Sequence, residues 1–344
     1  MSSNNKYDYI VVGQGLAGTL LTHDLLDNKK RILIIDKHLK GSASKVAGGL
    51  MNPISVRRCI PAFPDHYLTV AFKRYKELEE KLNNNFLYTK PLVKLFRNNE
   101  IRDLWHDKYN SHDMDIYIKG FNKSNTFSCF KDTFTSANIE PAGNLDVAHF
   151  LSISKSYFSK ECYFLEEEFD FNFFNESEVS YKGYTSEKIV FCEGYRLMNN
   201  PFFKYLPLAP TKGEVITIKI PSLEYCDQII SKGVYLIPLG NHLYTVGATY
   251  KRDDLTDEIT DDGQRFLIER LEGILNLDYE IVDRQSGIRP TVKDHKPLIG
   301  YHPDNIRIGV FNGLGSRGVL AGPYLSNQFV YSSLDTIKRF KKIS

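Results

Sequence analysis

The sequence predicts an α/β fold, α+β overall, with two lobes. A strand, a glycine turn, a helix and a second strand open the chain, which is typical of a parallel sheet. Two later regions, 86–143 and 211–283, are rich in β-branched and aromatic residues with turn signals, which favours an antiparallel sheet. At 344 residues the chain is also longer than most single cores. We therefore expect one lobe around each sheet.

The composition is that of an ordinary globular protein, with 42% hydrophobic and 25% charged residues. The net charge of +2 gives no reason to expect a polyanion, so nucleic acid is an unlikely partner and a small molecule is the better expectation. The five cysteines and nine histidines show no metal-ligand spacing, so we expect no metal. The sequence shows neither a leader nor an apolar run long enough to span a membrane, and this favours the cytoplasm. It leaves the oligomeric state open.

The first strand and its partner are short apolar runs, Tyr7 to Val12 and Ile32 to Ile35. Both resemble buried parallel strands, because they are continuously apolar and each ends at a turn or an acid. The helix between them begins within the glycine turn and presents one apolar face, formed by Leu20, Leu21, Leu25 and Leu26.

The glycine turn predicts a dinucleotide site. Gly13 makes the tight turn, Gly15 lets a pyrophosphate approach the backbone, and Gly18 lets the helix pack closely. The phosphates would lie at the helix N-terminus, next to Leu16 and Ala17, where free N–H groups meet negative charge. Asp36, at the end of the second strand and followed by Lys37, would accept hydrogen bonds from the ribose hydroxyls and disfavours NADP.

Four further segments extend this site along the chain: Gly41 to Pro53, Lys188 to Gly194, Gly287 to Gly300 and Asn312 to Val319. The first is a run of small residues that suits a flat ring and phosphate oxygens. Together with the glycine turn, these segments resemble the D-amino acid oxidase-like family of FAD-dependent amine oxidases, most closely its glycine oxidase and sarcosine oxidase branch.

The resemblance implies a Rossmann-type FAD-binding domain that is discontinuous in sequence, built from residues 1–85, 144–210 and 284–344. Residues 86–143 and 211–283 would form the substrate domain. FAD would be non-covalent, since no cysteine follows Cys226 to act as a flavin attachment point. The cofactor-binding residues would be Gly13, Gly15, Leu16, Ala17, Gly18, Asp36, Lys37, Ser42, Ser44, Ala47, Gly48, Gly49, Leu50, Gly194, Gly313, Gly315, Ser316, Arg317, Gly318 and Val319.

On the substrate side, the resemblance implies that Arg289 binds a substrate carboxylate, helped by Tyr235, with Arg317 near the flavin. A guanidinium suits this task because its planar fork pairs with a carboxylate and stays charged. Residues 65–82 carry apolar side chains at three- and four-residue spacing and predict a core helix. Lys212 and Lys251 are expected to be solvated surface lysines. Glu193 departs from the small or hydroxyl residue usual in the family, and its role stays open.

The implied reaction is oxidation of the C–N bond of a small amine, an amino acid or an N-substituted glycine, by hydride transfer to flavin N5. O2 or another electron acceptor would then reoxidise the flavin. Two alternatives stay open: a flavin enzyme acting on a carboxymethylaminomethyl-modified tRNA uridine, and a non-catalytic flavin-binding or redox-sensing protein. Stereochemistry and side-chain specificity are not predicted.

Overall fold

The computed structural model describes residues 5–38, 41–124, 129–131, 134–223 and 226–331. Within these residues the helices are α1 Leu16–Asp27, α2 Ala43–Val46, α3 Asp65–Leu82, α4 Asn99–Asn110, α5 Val147–Glu161, α6 Asp261–Glu272 and α7 Gly318–Tyr331. The strands are β1 Lys6–Val12, β2 Ile32–Ile35, β3 Leu50–Met51, β4 Ile54–Ser55, β5 Ile60–Pro61, β6 Leu87–Thr89, β7 Leu92–Leu95, β8 Ile118–Asn122, β9 Ser136–Ile139, β10 Gly143–Leu145, β11 Tyr163–Leu165, β12 Phe174–Asn175, β13 Ser180–Tyr181, β14 Tyr184–Phe191, β15 Thr211–Lys219, β16 Ile229–Ser231, β17 Tyr235–Gly240, β18 Leu243–Gly247, β19 Glu280–Arg289, β20 Leu298–His302 and β21 Asn305–Asn312.

A parallel sheet forms the centre of the first lobe, in the order β11-β2-β1-β14-β21. Val12, the last residue of β1, lies opposite Ile35 on one side and Phe191 on the other, so these strands end at the same edge. The sheet is buried on both faces, since alternate residues of β1 belong to two different apolar clusters. Short antiparallel strands complete its rim: β12 and β13 next to β14, and β20 next to β21.

The predicted Rossmann-type fold is therefore confirmed at its N-terminal unit. The second predicted strand has the observed bounds of β2, and the first differs from β1 by one residue. The core helix predicted over 65–82 is α3, with Leu68, Tyr75 and Leu78 buried. Its Tyr75 hydroxyl donates to the carbonyl of Val319 at 3.0 Å, which joins the start of α7 to α3. No helix of the described part of the chain is long and apolar enough to cross a membrane.

The second lobe contains an eight-stranded sheet in the order β19-β15-β18-β17-β16-β7-β9-β8. Its strands pair antiparallel, as predicted, except for β7 and β16, which pair in parallel. This exception follows from the chain path, because β7 and β16 come from the two separate regions 86–143 and 211–283 and no hairpin joins them.

Two predicted domain boundaries fall inside strands. Residue 284 lies within β19, whose whole length pairs with β15, and residue 143 begins β10, which bridges β3 and β6. The amino-acid composition changes at these boundaries, whereas the backbone hydrogen bonds between strands continue through them. Residues 1–4 and 332–344 of the proposed FAD-binding domain lie outside the described residues. The division into two domains stays a prediction.

Candidate functional site

The carboxyl ends of the parallel strands meet at one edge of the sheet. Gly13 follows β1, Asp36 follows β2, and residues 192–194 follow β14. Ligands of open α/β sheets bind outside this edge. A cavity of about 850 Å³ opens here and continues across the antiparallel sheet as far as Arg289. This volume is near the upper end for ligand pockets, so the cavity suits a long ligand.

The glycine turn brings the start of α1 against the sheet. Gly13 adopts a φ of +99° and its N–H donates to the carbonyl of Ile35 at 2.9 Å. A Cβ added at Gly18 would lie 1.8 Å from the carbonyl oxygen of Gly13, so only glycine fits there. The helix carries no acidic residue in its first turn, and its N-cap residue, Gly15, has no side chain. The N-terminus of α1 is thus suited to an anion.

Asp36 stands at the adjacent strand end with both oxygens engaged. Its Oδ1 accepts from the Gln14 N–H at 3.1 Å, and its Oδ2 accepts from the His38 N–H at 2.8 Å. The His38 ring lies 2.7 Å from the same oxygen through Nδ1. A carboxylate can accept further bonds, so a ribose can still be held there.

Small residues let the chain pass close to the cavity from the other side. The hydroxyl of Ser44 accepts from the Leu16 N–H at 3.0 Å, which ties this segment to the first turn of α1. A Cβ at Gly49 would lie 1.8 Å from the Leu145 carbonyl, and one at Gly48 would touch Ile237 at 3.0 Å. The segment therefore lies closely packed between β10 and β17.

The structure places most of the predicted cofactor residues in the cavity wall. These are Gly13, Gly15, Leu16, Ala17, Asp36, Lys37, Ser42, Ser44, Ala47, Gly48, Gly49, Leu50, Gly194, Gly315, Ser316, Gly318 and Val319. Three others lie behind the wall: Gly18 supports the glycine turn, Gly313 packs against Val292 and Leu298, and Arg317 is mostly buried.

Arg289 lies in the cavity wall at the end of β19. Its side chain crosses Gly213, where a Cβ would lie 1.9 Å from Nη2, and its Nη1 donates to the carbonyls of Thr249 at 3.2 Å and Lys212 at 3.4 Å. The Tyr250 ring centroid lies 5.8 Å from the guanidinium carbon. Burial lowers the pKa of Arg289, and Tyr250 partly opposes this. Among the described residues no carboxylate lies within 4.0 Å of it, so its charge lacks an anionic partner.

Tyr235 and Arg317 form a second polar group. The Tyr235 hydroxyl accepts from the Asn52 amide at 3.2 Å, and burial raises the pKa of Tyr235. Burial lowers the pKa of Arg317, Tyr235 opposes this, and Arg58 adds to it. The Nη1 atom of Arg317 is buried with no hydrogen-bond partner within the described chain. Tyr235 lines the cavity and Arg317 lies beside it, so both are close to a ligand bound there.

The prediction that Lys212 is a solvated surface residue is wrong. Its side chain is 0% exposed, and Nζ donates to Asp254 Oδ2 at 2.6 Å and to Thr256 at 3.2 Å. The ammonium is buried because the chain after β18 returns over this part of β15 and supplies a carboxylate. Lys251 is half-buried, and its Nζ lies 3.4 Å from the Thr260 hydroxyl.

Glu193 lies in the cavity wall beside the glycine turn. The Asn200 amide donates to its Oε2 at 2.7 Å. Burial raises the pKa of Glu193 to about 7, against the opposing effects of Asn200 and Arg196. The folded protein therefore binds more protons than the unfolded chain between about pH 4.5 and pH 7, so Glu193 makes stability fall as the pH rises through this window.

We expect Glu193→Gln to remove this pH dependence. Above pH 7 the variant should be more stable than the wild type by about 1–2 kcal/mol, allowing for partial exposure. At pH 5 the two should differ little. Thermal unfolding of the ligand-free proteins between pH 5 and pH 8 measures this difference. Glu187→Gln, an exposed change on β14, the strand that precedes Glu193, is the control. A difference that stays constant with pH would contradict the prediction.

Sequence reasoning missed several residues of the cavity wall. Gly213 makes room for Arg289, Tyr250 lies beside its guanidinium, and Asn52 orients Tyr235. Gly213 directly follows Lys212 in the sequence, and Tyr250 directly precedes Lys251. The available signal was Gly213, because a glycine within a strand often marks a place where another group comes close to the backbone.

Comparison with known proteins finds similarity to FAD dependent oxidoreductases and to glycine oxidases. The DAO family model, described as FAD dependent oxidoreductase, matches residues 172–331. A glycine oxidase from Bacillus subtilis (strain 168) is 30% identical over 128 residues, which are 36% of this chain and 35% of that protein. The alignment thus spans about a third of its length. A glycine oxidase from Geobacillus kaustophilus (strain HTA426) is 23% identical over 343 residues, 93% of this chain and 90% of that protein.

The structural comparison extends over nearly the whole chain. The crystal structure of glycine oxidase from Geobacillus kaustophilus superposes with a TM-score of 0.80 at 22% identity, covering 96% of this chain and 95% of that chain. This likeness shows the fold. The matched residues 172–331 contain Arg289 and the loop that opens α7, and the N-terminal βαβ unit joins them in one parallel sheet. Residues 172–331 of this chain thus resemble the DAO family of FAD dependent oxidoreductases.

Proposed function

We propose that this chain oxidises the C–N bond of a small amine that carries a carboxylate, an amino acid or an N-substituted glycine. One observation carries the proposal: Arg289 is a mostly buried cation in the cavity wall without a carboxylate partner among the described residues. An uncompensated buried charge is costly, and a bound anion would compensate it. The glycine oxidases that resemble this chain are consistent with such a substrate.

The residues present fit FAD. At the N-terminus of α1, the N-cap residue Gly15 has no side chain and Gly18 packs closely against Gly13, so a pyrophosphate can approach the backbone there. Asp36 is placed to accept hydrogen bonds from a ribose. The rest of the FAD molecule would be held by the residues from Ser42 to Leu50 and by the start of α7. When bound, FAD supplies a two-electron acceptor that takes a hydride at N5. We expect it to be held without a covalent bond, since Cys192 in the cavity wall is buried and burial raises its pKa.

Arg289 would hold the substrate by its carboxylate. Its Nη1 is occupied by two carbonyl oxygens, and the guanidinium keeps further N–H donors for a planar anion. Tyr235 would contribute its hydroxyl from the neighbouring wall, oriented by Asn52. Fixing the carboxylate at one end orients the amine carbon for reaction, and we assign no side chain as a base.

An anaerobic titration tests this function. The FAD-loaded protein is mixed with glycine, sarcosine, D-alanine and D-proline without oxygen, and the absorbance of oxidised flavin is followed. At least one amino acid should bleach the flavin. Ethylamine, which has the amine but lacks the carboxylate of glycine, is the matched control and should leave the flavin oxidised at the same concentration.

Two results would contradict the proposal. If none of the amines bleaches the flavin, the protein is not an oxidase or dehydrogenase of this class, and a redox-sensing or tRNA-modifying role gains support. If ethylamine bleaches it as fast as glycine, oxidation does not depend on a carboxylate and the role given to Arg289 is wrong. Admitting oxygen after bleaching then shows whether O2 or another acceptor completes the cycle.

A further inference from the structure

Arg289 is positioned by backbone carbonyl groups and not by a side-chain partner. Its Nη1 donates to two carbonyls on adjacent parts of the sheet, that of Lys212 on β15 and that of Thr249 just after β18. The absent Cβ of Gly213 lets the guanidinium lie against β15. Any shift of one carbonyl relative to the other would therefore move the guanidinium.

Lys212 holds these two backbone segments together. Its N–H donates to the Lys251 carbonyl at 2.8 Å, and the Lys251 N–H donates back at 3.0 Å. Its side chain projects away from the cavity, since Gly213 lines the cavity and Lys212 does not. There Nζ binds Asp254 and Thr256 on the segment 250–260, which starts at Tyr250 beside the arginine.

The rest of this segment is held by β15 and by its neighbouring strand β19. The Glu214 carboxylate accepts from both the N–H and the hydroxyl of Thr260, at 2.9 and 2.7 Å, and the Ser286 hydroxyl donates to the Asp257 carbonyl at 2.5 Å. Lys212 is the buried cation among these contacts. Its hydrogen bond, together with those from Thr256, lowers the pKa of Asp254 to about 2.

We propose that Lys212 is a positioning residue for Arg289. Its ammonium fixes the segment 250–260 on the reverse side of β15, which holds the carbonyls of residues 212 and 249 and the ring of Tyr250 in place around the guanidinium. Lys212 thereby sets the affinity for the substrate carboxylate without touching the substrate. The inference rests on the proposed function, because it takes Arg289 as the carboxylate site.

A purely electrostatic role of the pair makes a different prediction. Lys212 is positive and Asp254 negative, so removing Lys212 would weaken the binding of an anion, whereas neutralising Asp254 would strengthen it. If the pair positions Arg289, either change loosens the segment and both weaken binding. The direction of the effect of Asp254→Asn therefore separates the two roles.

The experiment compares Lys212→Met, Asp254→Asn and their double variant in the FAD-loaded protein. Methionine matches the length of the buried side chain, and Asp254 is 27% exposed, so water can solvate its carboxylate when Lys212 is replaced. Acetate is titrated and its Kd is read from the flavin spectrum, and KM and kcat are measured with the amino acid that bleaches the flavin. Lys219→Met, an exposed lysine on the same strand, is the control.

Both single variants should raise the acetate Kd and the KM by about 10- to 100-fold while kcat and FAD content change little, because misplacing a binding group can cost this much. The double variant should lose no more affinity for acetate than the single variant that loses more. In an Arg289→Gln background, Lys212→Met should have no further effect. Lys219→Met should match the wild type.

Unchanged affinity in Lys212→Met, or tighter acetate binding in Asp254→Asn, would overturn the inference. These outcomes are distinct from failure of the proposed function, in which no amine bleaches the flavin although acetate can still be titrated. If the wild type binds no acetate, or binds it equally well without Arg289, the inference is wrong together with the carboxylate site.

Discussion

Arg289→Gln should lower kcat/KM for a carboxylate-bearing amine by on the order of 100- to 1000-fold, since truncating one partner of a buried charge pair costs about 2–5 kcal/mol. Most of the loss should be in KM, because the charge of the carboxylate is the same in the ground state and the transition state. FAD content should not change. Steady-state kinetics together with the flavin absorbance of the purified protein measure both quantities.

Arg289→Lys should recover only part of this loss. An ammonium keeps the charge but cannot pair with both carboxylate oxygens as a planar fork does, nor reach the two carbonyls that hold Nη1. Arg265→Gln, an exposed change on α6, is the control and should leave the kinetics unchanged. If Arg289→Gln retains wild-type KM, the carboxylate binds elsewhere, and the neighbouring Arg317 becomes the alternative site.

The parts of the fold that could be predicted from sequence are those whose signal is local. The βαβ unit is specified by two apolar runs and a glycine turn within 30 residues, and α3 by a regular apolar spacing. Arg289 and Tyr235 were named through resemblance to a family. No periodicity or spacing would have distinguished them from other arginines and tyrosines.

Contacts between residues far apart in the sequence explain which features of the fold and the site the sequence did not predict. Lys212 is buried because Asp254, 42 residues later, returns to meet it, and no local pattern announces that contact. The parallel pairing of β7 with β16 joins segments separated by the whole central part of the first lobe. The predicted boundary at residue 284 lies within β19, because composition changes there while the hydrogen bonds of β19 to β15 continue.

The buried cations Arg289, Arg317 and Lys212 differ in whether a carboxylate of the chain neutralises their charge. Arg289 and Arg317 are both mostly buried, and burial lowers the pKa of each, yet within the described residues neither has a carboxylate partner. Most buried charges in proteins are paired. Lys212 follows that rule through Asp254, on the reverse side of β15. Under the proposed function, the chain itself neutralises the buried cation behind β15, whereas a bound ligand would neutralise the cations at the cavity.

Gly18→Ala should abolish the stable binding of FAD. The new methyl group would lie 1.8 Å from the carbonyl oxygen of Gly13, so α1 would have to move away from the sheet. The glycine turn and the helix N-terminus that would hold the pyrophosphate move with it, and neither can be replaced by a flexible side chain. We expect protein purified without added FAD to carry almost none, and its Kd for FAD to rise by at least about 100-fold, a loss of about 2.7 kcal/mol.

The control for this prediction is Gly273→Ala. Gly273 ends α6 with a φ of −73°, and a Cβ there would have ordinary contacts at 3.4 Å or more, so the change should leave FAD binding intact. Circular dichroism distinguishes loss of the cofactor from loss of the fold, because a local shift of α1 keeps the strands of both sheets. If Gly18→Ala binds FAD stoichiometrically, α1 need not lie against the glycine turn, and the pyrophosphate must be held by the later segments, from Ser42 to Leu50 and at the start of α7.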